Sequence, residues 1–119
     1  MSIFASDAVS SVLHGALDGL SIRQNVISDN IANVDTPGFR ATSVDFESSL
    51  RSAINSGEVN ADSVRVTTTP TLTPVGVNGN NVDLRKETMA AMQSVFQYQL
   101  LSRATSDRLA NIRAAAGAM

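Results

Sequence analysis

The stretch Asn30-Ile-Ala-Asn33-Val-Asp-Thr36-Pro-Gly-Phe39-Arg40 decides how this chain is divided. Thr36 precedes Pro37, and a residue before proline is pushed out of helical angles. Pro37-Gly38 then favours a type II turn, with Gly38 supplying the positive φ. Asn33 and Asp35 carry short side chains that bond local backbone groups and support such a turn. Whatever helix leads into this stretch must therefore stop here.

A helix does lead into it. Apolar residues fall at Val9, Leu13, Ala16, Leu20, Ile27 and Ile31, with steps of 4, 3, 4, 7 and 4. That is helical spacing with a near-heptad stripe. Val12, Leu17, Ile22 and Val26 widen the apolar face. The pattern predicts a helix over about residues 6–33, with Ser6 or Asp7 as its N-cap. Gly15 and Gly19 lie inside it, each costing about 1 kcal/mol of helix propensity. A close approach by a neighbouring helix would account for them.

Beyond the turn, residues 34–80 form a middle segment of turns and extended chain. Val44, Phe46, Leu50 and Ile54 fit a short helix from about Asp45 to Asn55, ended near Gly57. Val64-Arg-Val-Thr-Thr-Thr69 reads as a strand by its alternation and β-branching. Pro70, Pro74, Gly76 and Gly79 break the following stretch. A second long helix is predicted over about residues 82–116. Asp83 is its candidate N-cap, and Glu87 lies in its first turn, where the helix dipole favours a carboxylate. Met89, Ala90, Ala91, Met92, Val95, Phe96, Tyr98, Leu100 and Leu101 give this helix an unusually broad apolar face.

The expected architecture is mainly α. Long N- and C-terminal helices form an antiparallel coiled coil, and the irregular middle carries a short helix and minor β. With 119 residues, the chain has room for one domain. Residues 1–33 carry a net charge of −2 and residues 81–119 carry +2, which favours pairing of the two ends. Leu, Ile, Val and Phe total 31 residues, while Ala and Ser number 15 each. Such a composition buries narrow stripes rather than a thick core. The two stripes imply a coiled coil completed by neighbouring subunits, with ordering entropy offset only on assembly.

The same composition excludes several chemistries. There is no Cys, hence no disulfide framework and no thiolate nucleophile or ligand. His14 is the sole imidazole, on a helix face without metal-ligand spacing. Asp45 and Glu47 lack a His or Lys partner and read as solvated helix-start carboxylates rather than an acid–base pair. Gly76-Val-Asn-Gly79 lacks the Lys and the strand-to-helix context of a phosphate loop. Nine basic residues face eleven acidic ones with no basic stripe, which disfavours nucleic acid. No run spans a bilayer, and the acidic, Ser-rich polar face of the first helix does not suit an anionic membrane surface. The N-terminus shows no cleavable secretory signal. No catalytic, cofactor-binding or metal residue is expected, and neither is a small-molecule substrate.

Two segments carry a family resemblance. Asn30, Ile31, Ala32, Asn33, Asp35, Thr36, Pro37, Gly38 and Phe39 resemble the signature that ends the N-terminal helix of flagellar rod, hook and hook-associated axial proteins. Gly79, Asn80, Asn81, Val82 and Asp83, followed by Glu87 and Phe96-Gln-Tyr98, resemble the C-terminal signature of the proximal rod branch. Phe39 and Arg40 stand where Tyr and Lys are common, and Arg85 replaces an acidic or polar residue. The resemblance covers roughly residues 8–50 and 78–112. It implies a structural, non-enzymatic subunit of the bacterial flagellar basal-body rod, assembling helically to carry motor torque for motility. It further implies export by the flagellar type III apparatus and a place in the periplasmic rod. The implied partners are further copies of itself, rod proteins of the FlgC, FlgF and FlgG types, and a FliE-type adaptor and the export gate at the base. The alternatives are a middle rod protein of the FlgC type or an unrelated helical adaptor.

Overall fold

The computed structural model describes residues 3–57, 59 and 63–117. Two long helices, α1 (Ile3–Ala32) and α3 (Leu84–Gly117), lie side by side. Between them in sequence come β1 (Thr42–Asp45), α2 (Glu47–Ser56) and β2 (Thr67–Pro70). Ser10, Leu13 and Leu17 share a cavity with Thr105, Leu109 and Ile112, while Ala16 and Leu20 lie near Leu100 and Leu101. The early part of α1 thus meets the late part of α3, and the pair is antiparallel. The molecule is elongated, 66 × 27 × 15 Å.

The boundaries differ from the sequence reading in informative ways. Helix α1 already begins at Ile3, so Ser6 and Asp7 lie within it rather than at its cap. Helix α2 begins at Glu47, because Asp45 is taken up by a strand. That strand, β1, was not legible. Its four residues Thr42-Ser-Val-Asp45 carry no long alternation, and they become a strand by pairing antiparallel with β2. The register sets Thr42 opposite Pro70 and Asp45 opposite Thr67. The second strand accordingly occupies 67–70 rather than 64–69. Pro70 sits at its end, where a missing N–H costs least. Gly57, at φ 74°, closes α2 in the left-handed conformation, its N–H bonding the Ile54 carbonyl.

The core is centred between α1 and the middle segment. Ala16 and Leu20 of α1 pack with Val44 and Phe46, flanked by Val26, Leu50, Val64, Val66 and, from α3, Leu101. The sequence reading had placed the apolar core in the two terminal stripes and given the middle little part in it. Phe46 changes this. It is buried to 4% and lies over Gly19, where any Cβ would overlap its ring. Gly15 similarly leaves room for Val64. The close neighbours of both glycines are middle-segment side chains, not a second helix. On α3 the small polar residue Ser94 is buried to 1%.

Candidate assembly site

The helix-ending stretch and the Gly79–Asp83 stretch, distant in sequence, are one structural unit. Asn80 joins them. Its amide donates to the carbonyls of Asn33 and Thr36, each at 2.8 Å, and its oxygen accepts from the Val82 N–H at 2.7 Å. Asn81 works in the same way on the next turn. Its oxygen accepts from the Ala41 N–H at 2.6 Å, and its amide faces Thr71 Oγ1 at 3.3 Å and the Thr73 carbonyl at 3.4 Å. Backbone bonds add to the brace, from Gly38 N to Asn78 O at 2.9 Å and from Asn81 N to Phe39 O at 3.3 Å.

Asn30 completes the arrangement from within α1. Its amide donates to the Thr42 carbonyl at 2.8 Å and its oxygen accepts from the Thr42 N–H at 3.3 Å. The side chain thus pairs with the start of β1 as a peptide group would. Asn30, Asn80 and Asn81 are all buried, at 1, 7 and 4% exposure. Buried amides require partners, and an Asn offers two donors and an acceptor to irregular backbone that has no ladder of its own.

The remaining signature residues surround this brace. Asn33 caps α1 by donating to the Asp29 carbonyl at 2.8 Å, and accepts from Thr36 Oγ1 at 3.0 Å. Gly38 has φ 76° and Gly79 φ 81°, both left-handed. A Cβ on Gly79 would stand 3.3 Å from the Gly38 backbone, so the two turns touch. Asp83 receives the Lys86 N–H on its carboxylate at 3.2 Å, which caps α3. Ile31, Phe39 and Val82 are half-buried, while Ala32, Asp35, Thr36 and Pro37 are exposed. Tyr98 lies about four turns further along α3, half-exposed and outside the brace.

The sequence reading missed a second cluster around Arg23. Its guanidinium stacks over the Phe46 ring at 4.8 Å, donates to the Val44 carbonyl at 2.8 Å and pairs with Glu47 at 2.5 Å. A lone Arg on an apolar helix face was the available signal. Nearby, hydrogen bonds from the side chain and then the backbone of Ser48 hold the Asp45 carboxyl below its ordinary range. Asp45 and Glu47 thus serve α2 and Arg23 structurally.

Much of α3 faces away from the rest of the chain. Met89, Met92 and Phe96 are 68, 69 and 61% exposed, and Val95 and Leu100 are about half exposed. Ala91, Met92, Val95, Phe96 and Gln99 line a shallow furrow on this face. Large apolar side chains are thus gathered, exposed, along one side of α3. Among the described residues no group of three His, Asp or Glu is placed to hold a metal ion, and no helix is long and apolar enough to cross a membrane.

Comparison with known proteins gives this surface a context. Residues 12–40 match the family described as flagella basal body rod protein. The flagellar basal body rod protein FlgB of Borreliella burgdorferi is 36% identical over 109 residues, covering 75% of this chain and 81% of that protein. FlgB of Bacillus subtilis is 35% identical over 112 residues, covering 85% of each chain. FlgB of Escherichia coli is 31% identical over 122 residues, covering 87% of this chain and 88% of its own.

Proposed function

Because the chain belongs to the FlgB family of flagellar basal body rod proteins and is a structural subunit of the proximal rod, we propose that its outward α3 face is the surface that assembly covers. The single observation carrying this is the row Met89, Met92 and Phe96, each more than 60% exposed on an ordered helix. Apolar area of that size gains about 25 cal/mol per Å² when removed from water. Among the described residues the middle segment covers one side of α1, and none covers the outer half of α3.

In this reading the subunit has no catalytic step. It assembles helically with further copies and with rod proteins of the FlgC, FlgF and FlgG types, above a FliE-type adaptor and the export gate. It reaches the periplasmic rod through the flagellar type III apparatus. Torque passes along rigid subunits, and the Asn30–Asn80–Asn81 brace supplies rigidity where the backbone leaves regular structure. The signature residues act by fixing the angle between α1, the turn and α3. The distal part of α3, exposed from Leu109 onward, orders fully only against neighbours.

Purified basal bodies test the reading. Peptides of this chain should be found in the rod fraction. Their absence from rods of otherwise intact basal bodies would overturn it.

A further inference from the structure

We propose, resting on the rod-subunit reading, that the outer face of α3 docks head-to-tail onto the outer face of α1 in a second copy of this chain. The argument begins with spacing. On α3 the exposed residues Arg85, Met89, Met92, Phe96, Gln99 and Arg103 follow one another in steps of 4, 3, 4, 3 and 4. On α1 the exposed residues His14, Asp18, Ser21, Asn25, Ser28 and Ala32 follow in the same steps. Each is an unbroken heptad stripe of equal length, about 27 Å.

The two stripes complement each other in size. The α3 stripe presents two methionines and a phenylalanine at its centre, and the α1 stripe presents two serines and an asparagine. Large side chains on one helix and small ones on the other form knobs and holes at the shallow crossing angle that heptads favour. Methionine adapts its shape to such a surface.

They also complement each other in charge. Arg85 and Arg103 end the α3 stripe, with Lys86 beside it, and no acid lies on it. The α1 stripe carries Asp18, with exposed Asp29 alongside. Such rim charges add little affinity but select the partner and its register. Two α3 stripes facing each other would oppose like charges at their ends. The α3-on-α1 contact uses different surfaces on the two copies, so it does not end at a two-fold dimer, and each copy added presents a free face for the next.

The chain contains no Cys, which makes introduced thiols specific probes. Two differently tagged full-length copies, one Met92→Cys and the other Ser21→Cys or Ser28→Cys, are expressed together in cells that assemble rods. Isolated basal bodies are treated with a short flexible bismaleimide. Crosslinks joining the two tags are expected, about tenfold above those between two Met92→Cys copies. Arg103→Asp should lower the mixed product about tenfold, and Asp18→Arg in the partner copy should restore it. Crosslinks mainly between Met92→Cys copies, or only to a different rod protein, overturn the proposal while leaving the rod reading intact. Absence of the chain from basal bodies overturns both.

Discussion

The Asn80 side-chain amide donates to the Asn33 carbonyl at 2.8 Å, across 47 residues of sequence. This bond, with its twin to Thr36, ties the end of one long helix to the approach to the other. The angle between the helices is therefore held by buried amide groups as well as by apolar packing.

Removing that tie should be costly. Asn80→Ala leaves the Val82 N–H without its partner and the Asn33 and Thr36 carbonyls with only the Thr36 and Phe39 N–H bonds, in a half-buried setting. A loss of about 2–3 kcal/mol is expected, since each unsatisfied buried group costs roughly 1–3 kcal/mol. Asn80→Asp keeps the shape but loses the donor, and should be no better. Urea unfolding followed by circular dichroism measures both. A midpoint unchanged in Asn80→Ala would contradict the bracing role.

Gly19→Leu should destabilise more than Gly38→Ala. The first drives a side chain into the Phe46 ring, and overpacking of a core costs about 1–3 kcal/mol or more. The second meets open space and has only the left-handed φ of 76° to oppose it, a penalty of about 1 kcal/mol. Gly38→Val adds β-branching at that φ and should block rod assembly while leaving export intact. Thermal unfolding ranks the first two, and motility with a secretion assay reads the third.

Arg23→Lys should fail to replace Arg23. A lysine keeps the charge but loses the planar stack on Phe46 and the shared reach to Val44 and Glu47. A loss of about 1 kcal/mol is expected, close to that of Arg23→Ala, whereas Glu47→Gln should cost less because Glu47 is half-exposed. Equal stability of Arg23→Lys and the parent protein would show that charge alone suffices.

Acid should erode one local contribution in a defined direction. The folded-state pKa of Asp45 is lowered by its bonds with Ser48. Its contribution is therefore present above the unfolded-state value, about 4, and is lost as pH falls through the lowered folded value. Asp45→Asn should be less stable than the parent at pH 7, and the gap should narrow as pH falls below the unfolded-state value. Urea midpoints across that range decide it, and a gap independent of pH would exclude Asp45 as the titrating group.

Met92→Glu and Phe96→Glu should separate folding from assembly. Both positions are more than 60% exposed, so monomer stability should move by no more than about 0.5 kcal/mol. Rod incorporation and motility should nevertheless be lost. Hydrogen exchange gives the complementary result. In the free chain protection should concentrate at Leu20, Asn30 and Ala41–Phe46, with residues 109–117 exchanging fast and becoming protected only in rods.

Read by itself, the sequence determined the two long helices, because a 3.6-residue apolar rhythm sustained over many turns has no other regular solution. It determined the helix stop as well, since Thr36-Pro37-Gly38 cannot continue a helix. It marked both signature segments, and the excess of apolar residues on α3 over what one neighbour could cover. Tertiary structure alone decided that the two signatures meet, since an Asn that will bond across 47 residues looks the same in sequence as one that caps a turn. Only the fold made Thr42–Asp45 a strand, because so short a segment takes its conformation from its partner. And only the fold turned Gly19 into the seat of Phe46, moving the core from between the two long helices to between α1 and the middle segment. Local rhythm is written residue by residue, but which surfaces come together is settled by packing over the whole chain.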